Sequence, residues 1–219
     1  LRDDPKVVGG LEIPAAALRW YGDAGELAAS GDVDMVDICL PTGEHRAAAV
    51  AAMEAGLDVL CEKPIALNAA EAEEMAAAFE RAGRVLAEAF QWRHHPQGLR
   101  VRELVQEGAI GDVKLIDAGF SFTLEDTGDV RWDPEMGGGA LYDLGCYPIS
   151  LVRFIAGAEP VAVTAQIRWH SSGVDEAVVA TLEFPGGVLS HINCSFAMPL
   201  RRYFEVVGTG GSLYVNRGY

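Results

Sequence analysis

Val33-Asp34-Met35-Val36-Asp37-Ile38-Cys39-Leu40 is a run of apolar and β-branched residues that stops at Pro41-Thr42-Gly43, a turn signal. Good helix formers follow from Glu44 to Ala55, until Gly56 ends them. Asp58 to Cys61 is a second, shorter strand. Asn68 then caps another helix, with Glu71 three residues on as in a capping box, and Gly83 closes it. Arg84 to Phe90 reads as a third strand. Strands alternating with helices of this length predict a parallel, doubly wound sheet.

Beyond Pro96 the pattern changes. Leu99 to Gln106 reads as a helix ended by Gly108, and from Asp112 onward long strands dominate, with one helix near Tyr147 to Ile155. The strands are Val161 to Arg168, Glu176 to Phe184, Val188 to Phe196, Tyr203 to Gly208 and Ser212 to Val215. Short connections such as Pro185-Gly186-Gly187 and Gly208 to Gly211 suit hairpins in an open antiparallel sheet.

Composition narrows the function. The 219 residues carry 17 basic and 32 acidic side chains, a net charge of −15 that repels a phosphate backbone and argues against nucleic acid as partner. An anionic dinucleotide remains compatible, because backbone N–H groups and one local cation suffice to hold it. The longest apolar runs, such as Ala47 to Ala52, are far below a membrane span, so no membrane partner is expected. Cys39, Cys61, Cys146 and Cys194 are widely spaced without a C-x-x-C pair, which fits a reduced cytoplasmic protein better than a disulfide framework or zinc site.

Three segments bring a family into view: Leu40-Pro41-Thr42 with His45, then Cys61-Glu62-Lys63-Pro64, and finally Arg131-Trp132-Asp133-Pro134 leading into Gly137-Gly138-Gly139-Ala140-Leu141-Tyr142-Asp143-Leu144-Gly145-Cys146-Tyr147. In order and spacing these resemble the Gfo/Idh/MocA oxidoreductases from about Trp20 onward. Within them they resemble the branch of glucose–fructose oxidoreductase, dihydrodiol dehydrogenase and NADP-dependent xylose dehydrogenase. Tyr147, where many relatives carry His, and Ser150, where many carry Asp, point to that branch and away from inositol dehydrogenases.

The resemblance implies an α/β plus α+β fold: a partial Rossmann doubly wound parallel sheet, then a domain with a large open antiparallel sheet. It places an incomplete dinucleotide-binding domain over residues 1–96 and a substrate and dimerisation domain over 97–219. Family members open with a strand and a G-x-G-x-x-G loop that this sequence lacks, and Leu1 to Val8 reads as the end of the first helix leading into the second strand. The chain therefore reads as a piece of a longer protein, short at both ends. The alternative is an intact protein that has lost its cofactor site.

The resemblance further implies hydride transfer between NADP (or NAD) and a sugar or cyclic trans-diol, in a homodimer or higher homo-oligomer. Lys63, Asp143 and Tyr147 would form the catalytic group. Leu40, Pro41, Thr42, His45, Glu62 and Lys63 would line the nicotinamide half of the cofactor site. Arg93 would reach cofactor or substrate, and Arg131 with Trp132 would cover the site.

The chemistry suits the residue types. Oxidising a secondary alcohol needs a base for the hydroxyl proton, and a phenol with its ordinary pKa of about 10 is a poor one at neutral pH. A nearby ammonium favours the phenolate, which makes Lys63 and Tyr147 a suitable pair. Lys63 follows a strand at the carboxyl edge, where doubly wound sheets bind ligands. Asp143 lies four residues before Tyr147, on the same helix face if one helix holds both; with Pro148 so close, the helix could instead begin after Gly145.

Each residue also has a plainer reading. Lys63 could be a solvated surface lysine, Tyr147 a packed tyrosine with its hydroxyl at the surface, and Asp143 the N-cap of the following helix. The tryptophans could simply pack. His94-His95 lacks a third ligand at recognisable spacing, His170 and His191 read as structural residues, and no metal is expected. A second function class also stays open: a non-catalytic sugar-binding or dimerising protein.

Overall fold

Three short parallel strands and two crossover helices make the first half of the chain. The computed structural model describes residues 6–8, 11–13 and 18–219. Strand β1 (Lys6–Val8) pairs antiparallel with β2 (Leu11–Ile13) as a separate two-stranded sheet. Residues 1–5 lie outside the described residues, and with them most of the expected helix end; Lys6–Val8 is a strand, paired with Leu11–Ile13 rather than into the parallel sheet. After a short helix α1 (Ala24–Ala29), β3 (Met35–Ile38), α2 (Thr42–Glu54), β4 (Asp58–Cys61), α3 (Ala69–Ala82) and β5 (Leu86–Glu88) alternate, with the strands in the order β3-β4-β5.

Strand β4 has the bounds read from sequence, while β3 and β5 are shorter than their apolar runs because pairing with β4 sets their length. Ile38 sits opposite Cys61, and Cys61 opposite Glu88, so all three strands stop where β4 turns away at Glu62. Alanines allow α2 to lie close: Ala49 and Ala52 pack with Ile38, Val59, Cys61, Met75 and Phe79 in one apolar cluster. The Asn68 side chain accepts the Glu71 N–H at 3.0 Å. Glu71 reaches back only to the Leu67 N–H at 3.2 Å, completing a variant of the capping box.

Helix α4 (Pro96–Gln106) opens the second half, three residues before Leu99, because Pro96 suits a first turn and His95 caps it by accepting the Gln97 N–H. Then come β6 (Val113–Thr123), a long connection, α5 (Cys146–Ala156), β7 (Ala162–Trp169), β8 (Asp175–Glu183), β9 (Leu189–Ser195), β10 (Ala197–Gly208) and β11 (Ser212–Val215). They form a six-stranded open sheet in the order β11-β10-β6-β9-β8-β7. The β8–β9 and β10–β11 hairpins form over their glycine turns. The sheet is mixed, however, since β6 inserts between β9 and β10 and runs parallel to β9. Pairing with β6 also extends β10 back to Ala197 through a bulge.

Helix α5 covers the inner face of this sheet, where Leu151, Val152 and Ile155 meet Ile116, Ala118, Ala180, Ile192, Phe204 and Val206. The outer face stays open, with Leu115, Val179, Leu189 and Tyr214 exposed. Among the described residues no helix is long and apolar enough to cross a membrane.

Candidate active site

A cleft of about 470 Å³ opens where the two halves meet, at the carboxyl ends of β3 and β4. Cys39, Leu40, Pro41, Thr42, Glu62, Lys63 and Pro64 form one wall; Val130, Arg131, Met136, Gly137, Gly138 and Asp143 form the other. The turn after β4 projects Lys63 across it, ahead of a cis Lys63–Pro64 peptide bond.

Asp143 comes from a π-helical turn, Leu141–Gly145, that runs directly into α5. That turn starts because Asp175, on β8, accepts the Leu141 N–H at 2.7 Å. Gly139, at φ +111, leaves room for the Asp175 carboxylate where a Cβ would collide with it. Burial pushes the Asp175 carboxyl above its usual range, and the bond from Leu141 opposes the shift. Asp143 caps nothing: its side chain turns into the cleft, so the N-cap reading falls and one continuous helical segment holds both Asp143 and Tyr147.

The Lys63 ammonium donates to the Asp143 Oδ1 and to its backbone carbonyl, both at 2.7 Å. Arg131 Nε donates to the other carboxylate oxygen at 2.9 Å, and Arg131 Nη1 is held by Asp129 at 3.0 Å. Burial of Lys63 favours its neutral form, but the Asp143 carboxylate, together with Cys146 and Tyr147, more than offsets it and holds the ammonium above its ordinary pKa.

Tyr147 lies behind Lys63, whose Nζ is 5.1 Å from the ring centroid. The ring is enclosed by Phe90, Phe120 and Tyr219 at centroid distances of 5.5, 5.3 and 5.5 Å. Burial raises the phenol pKa by more than the Lys63 charge lowers it, so the net shift runs opposite to the activation expected from the ammonium alone.

A profile described as the oxidoreductase family with an NAD-binding Rossmann fold matches residues 14–90, and one described as the GFO/IDH/MocA C-terminal domain matches residues 99–214. The chain belongs to the Gfo/Idh/MocA oxidoreductase family. D-xylose 1-dehydrogenase (NADP(+)) 2 of Haloferax volcanii is 38% identical over 213 residues, covering 95% of this chain and 63% of that protein. The mouse trans-1,2-dihydrobenzene-1,2-diol dehydrogenase is 36% identical over 198 residues, covering 90% and 59%. Among solved structures, the aldose-aldose oxidoreductase from Caulobacter crescentus complexed with glycerol superposes with a TM-score of 0.84 at 30% identity, covering 89% of this chain and 59% of the other. A 3-ketoreductase from Actinomadura kijaniata in complex with NADP and TDP-benzene gives 0.82 at 32% identity, covering 88% and 60%. The chain thus spans about three fifths of the length of these Gfo/Idh/MocA proteins.

Of the residues singled out by resemblance to the family, Leu40, Pro41, Thr42, Glu62, Lys63 and Asp143 line the cleft together, joined by Arg131. Four others are placed elsewhere, and one of them is Tyr147, buried behind Lys63 and not part of the cleft wall. His45 is buried behind the wall, with Nδ1 2.9 Å from the Pro64 carbonyl and Nε2 2.8 Å from the Leu40 carbonyl, so it ties the two loops together rather than lining them. Arg93 turns the other way, over the faces of Trp92 and Phe154, and borders a separate groove with Glu88 and Arg153. Trp132 packs: its indole N–H donates to the Asp126 carbonyl at 3.1 Å and its ring stacks on His170 at 4.0 Å.

The sequence reading missed Asp129, which anchors Arg131, and the aromatic enclosure of Tyr147. The Asp-x-Arg spacing before a turn was the available signal for the first; alternating aromatics at Phe120 and Phe122 hinted at the second. It also missed Met136, whose carbonyl already accepts the Gly43 N–H at 3.3 Å. That contact uses one of the N–H groups at the start of α2 that would otherwise be free to meet an anion.

Proposed function

We propose that the protein transfers hydride between NAD(P), with NADP preferred, and a hydroxyl of a sugar or cyclic trans-diol. Tyr147 acts as the acid/base and Lys63 assists it. The observation that carries this reading is the Lys63 ammonium, projected from the first half into a strand-end cleft and gripped there by Asp143 of the second, with Tyr147 against it. The names of the xylose and dihydrodiol dehydrogenase relatives support the same substrate classes.

The cleft fits the nicotinamide half of the cofactor. Its volume of about 470 Å³ lies in the range of small-molecule sites, and it stands at the carboxyl edge of parallel strands. Leu40, Pro41, Thr42 and Glu62 would hold that half, and the bound nicotinamide would accept or supply the hydride. Asp143 fixes the ammonium by two hydrogen bonds, leaving its third hydrogen for the substrate oxygen or the phenol. Burial raises the phenol pKa, so Tyr147 carries its proton at neutral pH and can give it to a carbonyl oxygen; in the other direction it would take the alcohol proton back.

Residues 1–96 serve as the cofactor-binding domain and 97–219 as the substrate domain. The open outer sheet face, with Leu115, Val179, Leu189 and Tyr214, is where two copies of this acidic, cytoplasmic protein associate as a homodimer.

The test is hydride transfer followed at 340 nm with each nicotinamide on aldoses, cyclic trans-diols and the matching carbonyl compounds. Turnover with one of these is expected, and none with any would sink the reading. Tight NAD(P) binding in a titration excludes the non-catalytic alternative.

A further inference from the structure

Resting on that reading, we infer that Arg131 is a positioning residue for Lys63: it holds the second oxygen of Asp143 and so limits how tightly this carboxylate grips the ammonium at the cleft. A carboxylate offers two oxygens, and here each has one cation. Lys63 takes Oδ1 at 2.7 Å and Arg131 Nε takes Oδ2 at 2.9 Å. The four side chains Asp129, Arg131, Asp143 and Lys63 alternate in sign, and the series ends at the ammonium.

Arg131 is fixed from behind as well as from the front. Asp129 accepts its Nη1 at 3.0 and 3.2 Å and its backbone N–H at 2.8 Å, while the Arg131 carbonyl accepts the Gly139 N–H at 2.9 Å. A Cβ on Gly138 would stand 2.6 Å from that same carbonyl, so the glycine run lets the turn bearing Arg131 close onto Asp143. The guanidinium is therefore held in one geometry, and its planar fork bridges two carboxylates in a fixed arrangement that a flexible ammonium does not impose.

Exposure shows which partner shields which. The Lys63 side chain is 12% exposed and Asp143 19%, against 41% for Arg131. Arg131 covers the carboxylate on the solvent side, and without it Oδ2 would lose its charged donor. The carboxylate would then act on Lys63 alone, and one positive charge would leave the neighbourhood. Both changes favour the charged amine. Lys63 also faces Cys146 and Tyr147 on the same helical segment and Glu88 on β5, and an Arg131 variant leaves all three in place.

Two readouts test the inference. The first needs no cofactor and no turnover: competitive acetylation of the whole protein with acetic anhydride at fixed alkaline pH, with Lys63 read by peptide mass spectrometry against surface-exposed Lys114. Arg131→Gln should label Lys63 roughly threefold more slowly, the drop in neutral amine that half a pH unit produces. Asp129→Asn, which frees Arg131 without touching Asp143, should slow it less, and it carries the test if Arg131→Gln does not fold. Unchanged or faster labelling overturns the role.

The second readout is kinetic. Arg131→Gln should lower kcat about tenfold, the scale of one charge-assisted hydrogen bond. The alkaline limb of its rate profile should move to higher pH, and Arg131→Lys should rescue the rate only in part. A wild-type protein that turns over nothing sinks the dehydrogenase reading, and the labelling experiment still judges Arg131.

Discussion

Lys63 is held by charge and Tyr147 by rings, though the two are neighbours. Around the ammonium every close partner is polar and directed: two oxygens of Asp143 at 2.7 Å, with Arg131 and Asp129 behind. Around the phenol the ring partners are Phe90, Phe120 and Tyr219, which fix the plane of the ring, while Gln91 and Lys63 act on its hydroxyl and weakly oppose the effect of burial. The charged side raises the pKa of Lys63 against the effect of burial, and the aromatic side raises that of Tyr147 through burial. Both groups therefore keep their protons well above neutrality, for opposite physical reasons. Removing a single functional group from each side should then cost different things.

The largest effect is expected on the charged side. Lys63→Met keeps the length of the side chain but leaves Asp143 Oδ1 without its donor. Hydride transfer at 340 nm should fall about a thousandfold, the scale of a preorganised charged donor removed from a site. Stability to urea should fall by about 1–3 kcal/mol, the cost of an unpaired charged acceptor. A variant within tenfold of wild type would show that the ammonium is scaffolding only.

Tyr147→Phe is the matching cut on the aromatic side. It removes the hydroxyl and keeps every ring contact, so the rate should fall about a hundredfold while the melting temperature stays where it was. A variant that kept its rate would take Tyr147 out of the mechanism. One that lost stability instead would show a hydroxyl that matters more to packing than to proton transfer.

The contrast between the two sides also marks what the sequence made legible. Strand Asp58–Cys61, the Asn68 cap with Gly83 at the other end of α3, and strand Ser212–Val215 could all be read from local pattern, because short-range chemistry decides them. The insertion of β6 between β9 and β10 could not, since parallel pairing across more than seventy residues leaves no turn signal. Lys63, Asp143 and Tyr147 were found through motif resemblance, and how each is held was not. Asp143 enters the cleft only because Asp175, thirty-two residues further on, takes the Leu141 N–H and starts a π turn. His45, Arg93 and Trp132 had the right residue types, but residue type does not say to which side of a wall a side chain turns.

A smaller effect tests the rings themselves. Phe120→Leu preserves apolar bulk and removes two ring pairs, with Tyr147 at 5.3 Å and Tyr219 at 5.5 Å. It should cost about 1–2 kcal/mol in urea unfolding. If the rings also fix the phenol, kcat should drop a few-fold with little change in KM. An unchanged kcat beside that loss of stability would confine Phe120 to packing.

The smallest effect per step is the alkaline one, and it bears on both sides at once. Tyr147 and Lys63 each bind their proton more tightly in the folded chain than in the unfolded one, where the values are about 10 and 10.5. Below pH 10 both contributions to stability are complete. Above it the folded state holds more protons than the unfolded state, so stability falls with rising pH, by at most about 1.4 kcal/mol per pH unit for each group. Tyr219, buried beside Tyr147 and shifted in the same direction, adds a third contribution of the same sign. Urea midpoints between pH 9 and 11 should therefore decline less steeply in Tyr147→Phe and in Lys63→Met than in wild type. A slope that flattens only in Lys63→Met would mean that the rings place no hold on the phenolic proton, and the aromatic half of the comparison would fail.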